Sequence, residues 1–282
     1  MPELPEIFIF ARDMRKELTG RTLGGIEVLQ PKCLNVPVED FCSGLTGAGI
    51  RGVAPRGKWL QVETTQGWLL LSLGMGGEIL LTGRERLPEK RRLIFDLSSP
   101  HDGACLAVNF WWFGYAHYVR DLAEHAMTAR LGPNALDLTL EQFRALLRGR
   151  RGAIKTFLLD QGRMAGIGNV YVQDPLFKAR VHPLRPIQSL SDDEVAALWQ
   201  ALRETLQESI DHGGSAWELN LYGEKGGWGE QFLLAGYREG QPCPACGTAV
   251  VKIKTGSTSS YVCPACQPLG YLISPCGLQS IA

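Results

Sequence analysis

The chain has 282 residues, of which 45% are hydrophobic and 21% charged, and its 29 basic residues are balanced by 29 acidic ones. This length fits two globular domains, and the composition excludes a disordered or low-complexity chain. Because the charges cancel, any site for a polyanion would have to be a local basic patch. The sequence shows neither a secretory signal nor an apolar run that could span a membrane, so we expect a cytoplasmic protein.

The N-terminal segment 1–6 combines an ordinary helix start with a reactive group. A proline and acidic residues in a first turn, followed by apolar residues at helical spacing, predict a helix over Glu3–Leu18. If Met1 is removed, Pro2 carries a free secondary amine, and α-amino groups have a pKa of roughly 7.7–8. With the Glu3 carboxylate beside it, that amine suits attack on a sugar C1′ or a carbonyl through an imine.

Residues 22–119 consist of short β-forming runs separated by Gly, Pro or charged turns. The runs lie at 23–29, 59–63, 67–73, 78–82, 93–97 and 104–110. Several short strands at this spacing predict a β-sandwich or barrel rather than βαβ units.

Three positions in this region could meet a polyanion or a base stack, and each also has a purely structural interpretation. Lys58 lies in a turn, where its amine could reach a site or simply be solvated. Met75 lies between glycines, where it could fill a core or act as a wedge in stacked bases. Trp111 belongs to four consecutive aromatic residues, at least one of which should be exposed because a strand buries only one face.

The segment 131–134 marks the best domain boundary, and helical patterns follow it. Capping boxes open helices at Thr139 and Ser191, and a short helix is predicted over Ala153–Leu159. The turn 166–169 contains Gly-x-Gly-Asn and runs into another helix, so its backbone N–H groups could grip a phosphate, although a tight turn between helices would have the same sequence. Arg151 and Lys155 lie just upstream, and Asn169 could add a side-chain donor.

Four cysteines carry the strongest local signal. They are arranged as Cys243-x2-Cys246-x16-Cys263-x2-Cys266, with hairpin strands predicted at 248–251 and 260–262. Two such pairs supply four thiolates to one tetrahedral Zn²⁺, and four protein ligands leave no open position for catalysis. We therefore expect one structural zinc ion.

Taken together and in this order, the motifs resemble the formamidopyrimidine-DNA glycosylase and endonuclease VIII family over almost the whole chain. The matching segments are 1–6, Arg56-Gly57-Lys58-Trp59-Leu60, Leu73-Gly74-Met75-Gly76-Gly77, 160–171 with 176–179 and 182–183, and the cysteine region from Arg238 to Gln267. The resemblance implies an α+β protein. An N-terminal helix packs on a β-sandwich at 1–130, a helix-two-turn-helix domain spans 136–234, and a zinc finger spans 235–270.

The resemblance also implies a reaction. A damaged base is flipped out of double-stranded DNA, the Pro2 amine attacks C1′, Glu3 moves protons at the sugar, and elimination nicks the abasic site. Lys58 would bind phosphate and assist proton transfer, and Met75 would fill the gap left by the flipped base. Asn169 would hold phosphates with Arg151 and Lys155, and the protein would act as a monomer.

Three positions depart from the family pattern. Ser72 stands where a His is usual. Trp111 replaces an Arg that would pair with the orphaned opposite base, and an indole can stack but offers no fork of donors to a cytosine. Thr258 replaces an Arg of the finger, which removes a cation from the phosphate clamp. Preference for a base opposite C and δ-elimination are therefore both in question.

Two alternatives stay open at this point. The altered wedge could serve a glycosylase for bulky or crosslinked lesions. Alternatively, the chain could bind DNA structures and retain little catalysis.

Overall fold

The structure, a computed structural model, describes residues 1–98 and 103–269. It divides into two compact units, of which the first contains Met1–Asn134 and Leu206–Gly229 and the second contains Ala135–Thr205 and the described residues from Glu230 onward. The segment Leu206–Gly229, which the sequence prediction kept inside 136–234, thus groups with the N-terminal residues. Hydrogen bonds account for this grouping, because Leu81 N donates to Leu221 O at 2.9 Å and Ser215 N donates to Glu6 Oε1 at 3.0 Å.

Two four-stranded antiparallel sheets form the body of the first unit. One sheet has the order β1 (Thr22–Val28), β6 (Leu93–Ser98), β7 (Ala104–Asn109) and β5 (Glu78–Gly83). The other has the order β2 (Ile50–Arg56), β3 (Trp59–Thr64), β4 (Gly67–Ser72) and β8 (Tyr115–Val119). Helices α1 (Leu4–Leu18), α2 (Val38–Leu45) and α3 (Ala126–Ala129) belong to the same unit.

The core of this unit lies between the sheets and the apolar face of α1. Buried side chains recur along α1 at helical spacing, and they join inward-facing residues of both sheets in one cluster that includes Ile7, Phe10, Met14, Leu60, Leu71, Phe95 and Leu106. Such a layered arrangement buries one stripe of the helix and one face of each sheet. The predicted helix and β-sandwich are confirmed, whereas β2, β8 and α2 were not predicted.

The register of the second sheet brings three turns to one end of it. Trp59 pairs with both Arg56 and Ser72, and Ser72 also pairs with Tyr115. The β2–β3 turn, the loop after β4 and the loop before β8 therefore all leave the sheet at the same end.

Helix α1 runs antiparallel to β2, so its N-terminus points toward this same end. Gly20 N donates to Ile50 O at 2.9 Å, and Arg15 Nε donates to Val53 O at 3.0 Å. From these contacts, the helix start and the β2–β3 turn are each roughly 15 Å further along, at 1.5 Å per helical residue and 3.3 Å per strand residue. The N-terminus, the turn and both loops are thus placed together.

The second unit contains helices and a terminal hairpin. The helices are α4 (Leu140–Leu147), α5 (Ile154–Leu159), α6 (Gln173–Lys178) and α7 (Asp192–Asp211), of which α7 continues into the first unit beyond Thr205. The capping boxes at Thr139 and Ser191 are formed as predicted. Strands β9 (Val251–Thr255) and β10 (Thr258–Val262) form the hairpin, and its first strand lies further along the chain than predicted.

Among the described residues, no helix combines the length and apolar character needed to cross a bilayer.

Candidate active site and metal centre

The N-terminal residues are buried at the start of α1. Pro2 and Glu3 are both buried, and Glu3 is only 4% exposed. The Glu6 carboxylate accepts from Glu3 N at 2.9 Å and from Ser215 N at 3.0 Å, so it ties the helix start to the segment after α7. With Met1 present, its ammonium group pairs with Glu218 at 2.7 Å, and the Pro2 nitrogen is an amide without nucleophilic character. Removal of Met1 is therefore required before Pro2 can react.

The turn that carries Lys58 is held by hydrogen bonds to the segment 131–134, which follows α3. Arg56 donates to the carbonyl oxygens of Leu131 and Gly132 at 2.6 and 2.7 Å. Gly57, at φ 58°, donates its N–H to Asn134 Oδ1 at 2.7 Å. Lys58 takes part in none of these bonds and is partly exposed, so the turn is fixed while its lysine faces outward.

Two loops at this end of the sheet form an exposed apolar wedge, defined here as Met75, Trp111, Trp112 and Phe113. These side chains are 52%, 61%, 64% and 70% exposed, respectively. The loops are tied together because Met75 N donates to Trp112 O at 2.8 Å and Trp111 N donates to Met75 O at 3.0 Å. Met75 is thus exposed as a wedge requires, and Phe110 is the only one of the four consecutive aromatic residues that is buried.

The backbone of the wedge is strained and closely packed. Gly74 has φ 55°, and a Cβ there would lie 2.1 Å from Trp112 O, so only glycine fits. Phe113 has φ 57°, which is an unusual conformation for a bulky residue. Lys90 Nζ lies 5.3 Å from the centre of the Trp111 ring, a cation–π contact. The indole of Trp111 is therefore held by a neighbour although it is exposed.

Lys155 lies in a polar network inside the second unit. Its side chain is 1% exposed, and its ammonium group donates to side-chain oxygens of Asn169, Thr255, Thr258 and Ser260 and to the Ser259 carbonyl, at 2.7 to 3.1 Å. Burial lowers the pKa of Lys155 from 10.5 to about 8, so it remains mostly protonated at neutral pH. The resemblance implied that Lys155 holds backbone phosphates. In the structure its ammonium group is instead buried and bonded to Asn169 and the hairpin.

Asn169 lies between Lys155 and an aromatic pair. Its Oδ1 also accepts from Gln173 Nε2 at 3.1 Å, and its Nδ2 donates to Tyr237 Oη at 3.2 Å. Tyr237 contacts Tyr261 of the hairpin with ring centroids 5.0 Å apart. The helix after the Gly-x-Gly turn begins only at Gln173 and has six residues, so Asn169 is placed by side-chain bonds rather than by a helix N-terminus.

Arg151 is separate from this network. It is exposed and lines an open groove together with Arg144, Arg148 and Arg150. The structure thus brings Lys155 and Asn169 together and places Arg151 in a different basic cluster.

The four cysteines of the hairpin region form one compact cluster. Their Sγ atoms all lie within 4.8 Å of one another, with 3.8 Å between Cys243 and Cys266 and 3.5 Å between Cys246 and Cys263. These separations are too long for disulfides and match the edges of a sulfur tetrahedron around an ion about 2.3 Å from each ligand. Ala245 N and Cys266 N each donate to a cluster sulfur at 3.4 Å, which suits thiolate ligands. The residues present therefore fit Zn²⁺.

Comparison with known proteins gives the family. Three family models match: the formamidopyrimidine-DNA glycosylase N-terminal domain at 1–109, its H2TH domain at 131–220, and a zinc finger found in FPG and IleRS at 240–269. A formamidopyrimidine-DNA glycosylase of Roseiflexus sp. is 36% identical over 276 residues, covering 95% of this chain and 100% of the relative. The chain belongs to the formamidopyrimidine-DNA glycosylase family. The corresponding protein of Edwardsiella ictaluri is 35% identical, with the same coverage of both chains.

Solved structures of this family agree over the whole fold. Lactococcus lactis Fpg in complex with abasic-site DNA is 28% identical and superimposes with a TM-score of 0.85, covering 94% of this chain and 99% of that one. The Lactococcus protein with N7-benzyl-Fapy-dG DNA gives 29% identity and a TM-score of 0.86, covering 95% and 100%. The α+β fold with its N-terminal helix, sandwich, helix-two-turn-helix region and zinc finger is therefore confirmed, as is one structural zinc held by the four cysteines.

Several residues that shape the site were not singled out from the sequence. Glu6, Arg56 and Asn134 hold the helix start and the Lys58 turn through hydrogen bonds to partners distant in the chain, and Glu218 pairs with the Met1 ammonium group. No local pattern could reveal them, because each partner is set by tertiary structure. Only the position of Glu6, three residues after Glu3 at a helix start, carried a signal, that of a capping box.

A buried histidine pair behind Trp59 was also missed. His117 Nδ1 lies 2.9 Å from His125 Nε2, and His125 Nδ1 lies 2.8 Å from Thr128 Oγ1. Trp59 stacks on Tyr115 and meets His125 edge-on, with ring centroids 5.9 and 4.9 Å away. Burial, together with the neighbouring His125, lowers the pKa of His117 from 6.5 to about 4, so the pair is neutral at physiological pH. This cluster supports the strand that follows Lys58.

Proposed function

We propose that this protein excises damaged bases from double-stranded DNA and nicks the resulting abasic site through an imine formed by Pro2. The observation that carries the proposal is the common placement of four features at one end of the β2-β3-β4-β8 sheet. They are the buried Pro2–Glu3 helix start, the outward-facing Lys58 turn and the two loops of the exposed wedge. A nucleophile and a wedge on one surface are what attack on a flipped nucleotide needs.

The chemistry follows from the secondary amine of processed Pro2. Its nitrogen lone pair forms a bond to C1′ while the glycosidic bond breaks, and the leaving base takes a proton. Because the nitrogen is secondary, loss of its proton and opening of the sugar ring give a cationic imine. That cation acidifies the C2′ hydrogens, so removal of one proton expels the 3′ phosphate by β-elimination and cuts the strand.

Glu3 and Lys58 have complementary parts in this reaction. The Glu3 carboxyl exchanges protons with the sugar oxygen and the amine, since it adjoins Pro2 at the buried helix start. Lys58, on a turn fixed by Arg56 and Gly57, supplies a cation to a phosphate and a proton relay at the sugar. The wedge enters the base stack, with Met75 filling the gap and Trp111 stacking on the opposite base.

The second unit grips the DNA backbone. Asn169 presents its amide and Tyr237 presents its hydroxyl beside the zinc finger, and phosphate contacts of this kind position the duplex without reading sequence. Lys155 acts indirectly, because it donates hydrogen bonds to both Asn169 and Thr258 and so holds Asn169 and the hairpin turn together. The zinc ion, when bound, supplies no reaction chemistry and fixes the two cysteine pairs so that the hairpin keeps its shape.

The partner is double-stranded DNA with a damaged base or an abasic site, and we propose that the protein acts as a monomer in the bacterial cytoplasm, at the nucleoid. Named relatives and structural neighbours support this proposal, because they are bacterial formamidopyrimidine-DNA glycosylases, several of them solved with damaged or abasic DNA.

Borohydride trapping tests the reaction directly. Met1-processed protein is incubated with a duplex containing an abasic site and sodium borohydride, and the covalent protein–DNA adduct is measured on a denaturing gel. We expect an adduct with wild type, and much less adduct with Pro2→Gly plus Glu3→Gln or with protein that keeps Met1, in which the residue 2 nitrogen is an amide. An undiminished adduct in the double variant would contradict the Pro2 mechanism, and no adduct with wild type would favour a protein that binds DNA structures without catalysis.

A second candidate function is a preference for bulky lesions, and the exposed wedge favours it. Three adjacent aromatic side chains offer more stacking surface than one inserted residue needs. A panel of DNA substrates that contain 8-oxopurine, formamidopyrimidine or a bulky N7-alkylated ring-opened purine distinguishes this preference from activity on small oxidised purines. A higher kcat/KM on the bulky lesion would support this candidate, and a lower one would exclude it.

A further inference from the structure

The second unit carries a basic groove that the proposed reaction leaves unused. Its volume is about 840 Å³, and four of its lining residues are arginines: Arg144, Arg148, Arg150 and Arg151. Asp192 is the only acidic residue among those that line it. In a chain with equal numbers of basic and acidic residues, such a cluster is a local excess of positive charge.

The arginines of this groove lack anionic partners. Arg148, Arg150 and Arg151 are exposed, and no side-chain hydrogen bond or ion pair of theirs is found within residues 1–98 and 103–269. The Nε of Arg144 is buried without any hydrogen-bond partner. By contrast, nearby Arg185 is held by Glu194 at 3.0 Å, so arginines of this unit do pair where a carboxylate is within reach.

The loop after α4 carries Arg148, Arg150 and Arg151, whereas Arg144 lies within α4. This loop runs from the end of α4 to the start of α5, and Gly149 and Gly152 have φ values of 70° and 95°. At both glycines an added Cβ would meet no atom within 4 Å, so the positive φ rather than crowding favours glycine at these positions. Glycine in this conformation turns the backbone sharply and lets neighbouring side chains face the same opening.

The chemistry of the groove favours phosphate over other ligands. Guanidinium groups present planar donor pairs that match phosphate oxygens. Leu147 and Val195, which form part of the floor, are only 6% and 8% exposed, so an apolar ligand or peptide side chain would gain little contact there. Four cations facing one carboxylate suit a run of phosphodiesters better than a single small anion.

We propose that this groove is an accessory site for the DNA backbone, distinct in its residues from the Asn169 network. The inference rests on the proposed function, since it assumes that DNA is the ligand of the second unit. It assigns Arg151 to the flank of the bound duplex, together with Arg144, Arg148 and Arg150, rather than to the phosphates held by Asn169. The groove adds affinity and length of footprint, and it leaves the chemistry at Pro2 unchanged.

The salt dependence of binding tests this assignment. The variant Arg148→Gln/Arg150→Gln/Arg151→Gln is compared with wild type on duplexes carrying an uncleavable abasic analogue. Loss of three phosphate contacts should reduce the slope of log K against log salt by about 2.7, so the wild-type advantage should fall about 40-fold between roughly 50 and 200 mM salt. The triple lysine variant keeps the charge and should retain most of the slope, and Arg51→Gln, at an exposed position paired with Glu63, serves as a control.

A series of duplex lengths separates this proposal from the proposed function. Wild-type affinity should rise as the flank is extended until the groove is filled, whereas the triple glutamine variant should reach its plateau on a shorter duplex. At saturating DNA, both proteins should form the same amount of borohydride adduct, with only KM raised in the variant. Equal slopes for wild type and variant at every duplex length would overturn the groove assignment, whatever the trapping result. A wild type that gives no adduct would instead overturn the Pro2 mechanism.

Discussion

Replacement of Lys155 by methionine probes how the zinc hairpin is attached to the helical part of the second unit. Methionine keeps the length of the side chain and removes the ammonium group. The five oxygens around Nζ compete for three N–H bonds, so some of them share a donor. The substitution therefore leaves several buried acceptors without their donor, in a network whose other members are hydroxyls and carbonyls.

The expected cost follows from two opposing contributions. Three hydrogen bonds to a charged donor contribute about 2 kcal/mol each, or about 6 kcal/mol together. Against this stands the burial of the charge. Lowering the pKa of Lys155 from 10.5 to about 8 corresponds to about 3 kcal/mol at 1.36 kcal/mol per unit. The net loss is therefore about 3 kcal/mol, and nearer 2 kcal/mol if Thr255 and Ser260, already 2.9 Å apart, satisfy each other.

Hydrogen exchange of the zinc-loaded protein measures this cost locally. A loss of about 2 kcal/mol should lower the protection of the amides in β9 and β10 roughly 30-fold, while the sandwich amides keep theirs. Zinc content should not change, because Lys155 contacts no cysteine. Lys254→Met, at an exposed position of the same hairpin, is the matched control and should behave as wild type.

The pH dependence of the stability difference between wild type and Lys155→Met gives a second test, because its direction is fixed in advance. Because the folded-state pKa of Lys155 is depressed, the unfolded chain binds more protons between about pH 8 and 10.5. The stability difference between wild type and Lys155→Met should therefore widen as pH rises through that window. A difference that narrows instead would mean that the oxygens stabilise the ammonium form more than burial disfavours it. Unchanged hairpin protection in Lys155→Met would refute the role of the network altogether.

Three further outcomes are expected. The folded-state pKa of His117 is depressed to about 4, so the unfolded chain binds more protons between pH 4 and 6.5. The free energy of unfolding, measured by denaturant titration, should therefore fall by up to about 3 kcal/mol as pH falls from 6.5 toward 4, and His117→Phe should lessen this dependence. Gly74→Ala should destabilise the protein by more than about 1 kcal/mol in urea titrations and reduce nicking, because its Cβ would collide with Trp112 O. Gly103→Ala, with φ 54° and open space, isolates the backbone contribution. Chelation of zinc should abolish DNA binding by the hairpin without changing the far-ultraviolet signature of the sandwich.

Local patterns predicted the parts of the fold whose determinants are local. The Thr139 capping box and the extent of α1 follow from side chains within one or two turns, and the cysteine cluster follows from spacing alone. The strand β2 was missed because Gly52 and Pro55 interrupt its pattern, although pairing with β3 on one side accommodates them. The strand β8 was missed because His117 is polar in sequence, yet its burial is made possible by His125.

The candidate site was predictable in its residues and not in its connections. Pro2, Glu3, Lys58 and Met75 stand in recognisable motifs, so their types and order suffice to propose them. The environment of Lys155 could not be foreseen, because its acceptors in the hairpin come from residues about 100 positions later. A lysine upstream of a Gly-rich turn suggests a free cation, and only the folded unit reveals that its ammonium group already donates hydrogen bonds to uncharged oxygens of the protein.

Two of the three departures from the family pattern, Trp111 and Thr258, have a common consequence in the structure. At Thr258 the missing arginine is replaced by a hydroxyl that accepts from Lys155, and at Trp111 it is replaced by an indole that contacts Lys90. Neither a hydroxyl nor an indole offers a fork of donors to DNA, and in both places the neighbouring lysine is already engaged by the protein.

If the arginine groove restores the phosphate affinity lost from the finger, then the residues that set binding strength differ from those that read the opposite base. A stacking wedge meets any opposite base with similar energy, because every base has a π-face. Discrimination must then arise at the flipped nucleotide. Exchanging the opposite base should therefore change kcat/KM little in wild type, and Trp111→Arg should introduce a preference for cytosine that Trp112→Arg does not.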